Sequence, residues 1–148
     1  HEIAPGVVYH DSTVTVTAFA VDHEDWPESF GFRFETAAGV VVISGDARPT
    51  ESVVAACDGC DMLVHEVYSD AGFAKRTPDW QRYHAKAHTS ASQLAALASR
   101  ARPRLLVLTH QLFWGTSEED LLAEVRAGYR GDVVSGEDLD VFTVSREP

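Results

Sequence analysis

Three short apolar runs in this sequence each lead into residues that bind cations or carry protons. Val40-Val41-Val42-Ile43 passes through Ser44-Gly45 to Asp46, Met62-Leu63-Val64 leads to His65-Glu66, and Leu105-Leu106-Val107-Leu108 passes through Thr109 to His110. Imidazole nitrogen together with carboxylate oxygen is a donor set that zinc accepts, and paired hydrolytic metals ~3.5–4 Å apart are held by shared ligands. Asp46 suits a bridging carboxylate and His110 a terminal ligand. Each also has an ordinary interpretation: Gly45-Asp46 can be a turn or a helix cap, and a histidine closing a strand can be a hydrogen-bonded core residue. Three strand ends of the same kind weigh toward chemistry.

His84 and His88 stand four apart, which places both rings on one face of a helix. His84-Ala-Lys-Ala-His88 lacks the glutamate of a zinc-protease helix, so that motif is rejected. His88 precedes a capped helix and is expected to project from a loop, where it can donate a proton to a leaving group; a surface histidine is the other interpretation, and the stronger one for His84. Trp26, Phe113 and Trp114 lie beside these segments and can wall a substrate pocket, or belong simply to core or rim.

The elements that must carry these residues follow from periodicity. The unalternating valines of 40–43 suit a strand buried on both faces, in a sheet covered by helices, with Gly45 giving a sharp turn and Asp46 beyond the strand's carboxyl end. Val7–Tyr9 and Thr13–Val21 form a hairpin about His10-Asp11-Ser12, and Phe30, Phe32 and Phe34 alternate with Gly31, Arg33 and Glu35. These make a β-meander. Thr50, after Pro49, caps a helix from about Glu51 to Cys57. Ser90 and Gln93 form a capping box for a helix to Ala101, Thr116 and Glu119 form another, and Val133-Val134 with Val141–Val144 close the chain as a strand pair.

A chain of 148 residues, 45% hydrophobic, can bury one core. Its net charge of −11 disfavours nucleic acid, and no segment is apolar enough to span a membrane. The opening His1 implies that something upstream was removed or that the chain is a fragment. Compartment is open, with a soluble, cytoplasmic setting slightly preferred. Cys57 and Cys60 are too few for a disulfide framework and give half of a four-cysteine zinc site. They are expected as buried small residues at the end of a helix, away from the helix amino terminus that a reactive thiolate needs.

The blocks Phe30-Gly31-Phe32-Arg33-Phe34, Val42 to Pro49, Asp61 to Glu66, Ala87-His88-Thr89-Ser90 and Leu105 to His110 together resemble the metallo-β-lactamase-fold hydrolases, in the ribonuclease Z and arylsulfatase-like branch. The resemblance implies an α/β fold, half of an αββα sandwich, with a mixed β-sheet and helices packed on one face. It implies that Asp46 bridges two metals, usually zinc, with manganese or iron as alternatives. His110 would bind one of them and His88 would act as proton donor. His65 and Glu66 would support the site from behind, as would His23 in the loop before Phe30.

The family's His-x-His-x-Asp-His motif is missing, so residues 1–148 resemble the carboxyl-terminal half of such a domain. Two ions want about four donors each, which Asp46 and His110 cannot supply. The expected function is part of a dinuclear-metal hydrolase whose metal-bound hydroxide attacks a small ester, sulfate ester, lactone or phosphodiester, with transfer-RNA processing the weaker choice. The alternative is a stand-alone half-domain without catalysis. Either form needs a partner: the missing amino-terminal half or a second copy in a homodimer. Redox or zinc-ribbon chemistry through Cys57 and Cys60 ranks last.

Overall fold

The computed structural model describes residues 2–145. Seven strands form one sheet in sequence order: β1 (Gly6–His10), β2 (Val14–Ala20), β3 (Phe30–Thr36), β4 (Gly39–Ile43), β5 (Met62–Tyr68), β6 (Leu105–Leu112) and β7 (Asp132–Ser135). The first four are an antiparallel meander. Its first turn is held by Asp11, whose carboxylate accepts from the Thr13 and Val14 N–H groups at 2.7 and 2.9 Å. From β4 to β7 all neighbours run parallel. Parallel neighbours need crossovers, and these contain the helices: α1 (Glu51–Cys57), then α2 (Asp70–Ala74), α3 (Pro78–Ala87) and α4 (Ala91–Ala101), then α5 (Glu118–Gly128).

Val40, Val42, Leu63, Val67, Leu106, Leu108 and Val133 project from one face of the sheet into a core shared with α1, α4 and α5. Pairing of Phe32 with Ile43 and Phe34 with Val41 puts these four on the opposite face, outside that core, where none is fully buried. The architecture is the expected mixed sheet with helices against one face.

Several local expectations change. β5 and β6 run past their apolar runs, so His65, Glu66 and His110 lie within strands rather than beyond them. A capping box closes α4 at Ser90 and Gln93 as expected, but that of α5 uses Ser117 and Asp120, because the Thr116 hydroxyl donates to the Phe113 carbonyl instead. Thr50 precedes α1 without a side-chain cap. Val133 and Val134 lie in β7, but 141–144 form no strand; the chain turns at 137–140, where the Glu137 N–H donates to the Asp140 carboxylate, and joins no ladder. The cysteines are buried as expected but are bonded to each other, the short link past α1 bringing their Cα atoms to 4.7 Å. No helix among the described residues is long and apolar enough to cross a membrane.

Candidate metal centre

Asp46, His88 and His110 arrive from three separate segments, yet one ligand atom from each lies within 4.8 Å of the others. Asp46 follows β4 on a turn that Gly45 makes at φ 65°. His110 owes its direction to a β-bulge: Glu66 of β5 pairs with Thr109 and Val67 pairs with Gln111, so His110 is the extra residue between them, at φ 42°. This turns its ring to Asp46, with Nδ1 3.4 Å from Oδ1. Donors ~2.0–2.2 Å from a tetrahedral ion stand roughly 3.4 Å apart, so this pair fits a shared cation. His88 brings a third side chain to the cluster at longer reach.

His88 caps the carboxyl end of α3 in extended backbone and is held from behind. Its Nδ1 lies 3.0 Å from Oε1 of the fully buried Glu66. The same oxygen accepts the Ala47 N–H at 2.9 Å, so Nδ1 is the donor and Nε2 is left for the site. The Thr89 hydroxyl donates to the Ala47 carbonyl at 2.6 Å, and the Tyr68 N–H to the Thr89 carbonyl at 2.9 Å. The Asp46 turn, β5 and His88 are thus clamped together.

Burial pushes the Glu66 carboxyl up, although His88 and the Ala47 N–H pull it back. For His88, burial opposes the charged ring, but the hydrogen bond to Glu66 and the charges of Glu66, Asp46 and Glu24 outweigh it and hold the imidazolium above its ordinary range. Both shifts favour the protonated form of the pair beside the cluster. His65 is different. Its Nδ1 donates to the Glu66 carbonyl at 2.7 Å, it points into the core, and burial pushes it down to about 4.

His23 packs edge-on against His88, ring centroids 5.1 Å apart, with its Nδ1 donating to the Ala87 carbonyl at 2.8 Å. Trp114 reaches the site through His84, centroids 4.6 Å apart, and backs onto Tyr68 and Phe73. Phe113 packs against the helix-side core, and Trp26 is exposed.

The surface interpretation of His84 is overturned. It is buried on α3, 5.2 Å ring to ring from His88, and burial with the charges of His88 and His110 pushes it down to about 4. Thr77-Pro78-Asp79, with proline at the first helical position, was the available sign that a helix carries it. The bulge at His110 and the clamp by Thr89 left no such sign.

A family model described as a beta-lactamase superfamily domain matches residues 1–111. A ribonuclease Z of Mycobacterium sp. (strain KMS) is 30% identical over 141 residues, covering 94% of this chain and 50% of that relative. The chain thus spans about half the length of these curated relatives. Among solved structures, the metallo-beta-lactamase fold protein YhfI from Bacillus subtilis superposes with a TM-score of 0.69 at 20% identity, covering 87% of this chain and 49% of that one. Zn(2+)-bound PqqB from Methylobacterium extorquens does so with a TM-score of 0.62 at 18% identity, over 94% of this chain and 51% of that one. The expectation that acidic charge disfavours nucleic acid finds no support here, since the sequence relative is named as a ribonuclease. Net charge is a sum over the whole chain and leaves local basic stretches free to act.

Proposed function

Because this chain belongs to the beta-lactamase superfamily and has the metallo-β-lactamase fold, we propose that it is part of a metal-dependent hydrolase that cleaves phosphodiesters, RNA among them. The observation that carries this is the convergence of Asp46, His88 and His110 within 4.8 Å from three segments far apart in sequence. Zinc, or another divalent ion, supplies Lewis acidity and a water of lowered pKa when bound there. The chain's own groups do the rest. Asp46 and His110 would hold the cation. His88, whose charged form the Glu66 hydrogen bond at Nδ1 favours, would protonate the departing oxygen from Nε2. Glu66 acts through His88 and through the Ala47 N–H, fixing the ring and the Asp46 turn together. Trp114 borders the substrate, backed by Tyr68 and Phe73, whereas Phe113 packs against the core instead of bordering it.

Asp46 and His110 are too few donors for two ions, which want about eight. We therefore place this chain as the carboxyl-terminal half of its domain, with the remaining donors coming from an amino-terminal half or a second copy. The sheet face bearing Phe32, Phe34, Val41 and Ile43 supports this, since a contiguous apolar face is normally covered by a partner.

The test is elemental analysis of metal per chain, alone and with the complementary half, beside hydrolysis of bis(p-nitrophenyl) phosphate, p-nitrophenyl sulfate and p-nitrophenyl acetate. Phosphodiester turnover that requires metal and disappears in Asp46→Ala supports the proposal. Turnover of the sulfate or acetate alone, or phosphodiester turnover indifferent to Asp46, overturns it.

A further inference from the structure

The stretch 75–86 departs from the rest of the chain in charge. It holds Lys75, Arg76, Arg82 and Lys86, four of the twelve basic residues, against the single acid Asp79, in a chain of net charge −11. All four cations are exposed. Between them stand Trp80 and Tyr83, 54% and 44% exposed on α3, too open for core residues of their size. With Asp79 they line a shallow hollow of about 250 Å³.

These rings are held in place. Trp80 lies nearly parallel to His84, interplanar angle 12° and centroids 4.8 Å apart, while Tyr83 meets His84 edge-on at 5.0 Å. His84 itself is 6% exposed, and neither of its ring nitrogens has a hydrogen-bond partner among the described residues. Its surroundings are rings: Trp114 at 4.6 Å and His88 at 5.2 Å. A line of rings therefore runs from the metal centre, His110 to His88 to His84, and ends on a tryptophan.

We infer that 75–86 is a binding surface for single-stranded RNA, in which Trp80 and Tyr83 stack nucleobases while Lys75, Arg76 and Lys86 attract the flanking phosphates. A rigid aromatic face set among cations is what a base attached to a phosphate requires, and stacking accepts any base because each has a π-face. Arg82 pairs with Asp79, which leaves Lys75, Arg76 and Lys86, and a neutral apolar partner would gain nothing from these three. This inference rests on the phosphodiester proposal for the substrate, and adds where the strand lies as it approaches Asp46.

Binding is measured by calorimetry in a chelating buffer, where metal and cleavage play no part, using a short single-stranded RNA of mixed sequence and an abasic oligomer of equal length and charge. The RNA should bind about 5-fold or more tightly than the abasic strand. Trp80→Ala should abolish that preference, Trp80→Phe should restore most of it, and Arg76→Ala should weaken both strands alike with a shallower salt dependence. Equal binding of the two strands, binding of neither, or a preference that survives Trp80→Ala overturns the inference. Loss of association with the complementary half in Trp80→Ala, without loss of RNA, does so too. Hydrolysis is scored separately with metal present: a Trp80-dependent base preference without phosphodiester turnover keeps the surface and discards the hydrolase proposal, and the converse result does the reverse.

Discussion

His110 is the unpaired residue of a β-bulge, and this displacement brings its Nδ1 to 3.4 Å from Oδ1 of Asp46. Residues 64 positions apart become neighbours because one strand carries an extra residue that its partner lacks. If the two hold a common cation, Asp46→Ala and His110→Ala should each abolish tight zinc uptake by the protein paired with its complementary half. Mass spectrometry of metal per chain reads this directly, and full occupancy in either variant would remove the pair from the ligand set.

The same bulge holds a non-glycine residue at φ 42°, a backbone region costing roughly 1 kcal/mol for an L-residue. His110→Gly should raise stability by about that amount in a urea melt while metal is lost. A destabilised variant would mean that the ring's contacts outweigh the backbone cost.

Glu66→Gln isolates the support behind His88. Burial drives the imidazolium down, and the Glu66 hydrogen bond and charge drive it up. With the charge gone, burial prevails, so the His88 titration followed by NMR should move below its position in the parent protein. An unchanged midpoint would show that Asp46 and Glu24 set it instead.

His65 ties stability to pH. Its folded pKa, about 4, lies below the unfolded value of 6.5, so the unfolded chain binds the extra proton first as pH falls. The contribution is complete above pH 6.5 and is lost between 6.5 and about 4, a decline of about 3 kcal/mol at most. Urea melts across this window should show that slope, and His65→Asn should flatten it.

The bond between Cys57 and Cys60 closes a very short loop, for which chain entropy assigns about 2 kcal/mol. Replacing both by alanine should lower the urea midpoint by a corresponding amount, and reduction of the parent protein should shift it similarly.

Much of this molecule was determined by its sequence. The valines at 40–43, the aromatic alternation at Phe30, Phe32 and Phe34, and the capped helix at Ser90 are local patterns, because burial and capping act over a few neighbouring residues, and the elements formed where those patterns stood. Asp46 and His110 were legible as strand-end residues for the same reason, and His88 as a residue before a cap. What the tertiary structure alone decided is whatever depends on two segments at once. The pairing register of β5 and β6 made His110 a bulge, a buried Glu66 joined the Ala47 turn to His88, and helix α3 folded His84 inward beneath Trp80. Register and burial are properties of pairs, and no single stretch of chain contains them.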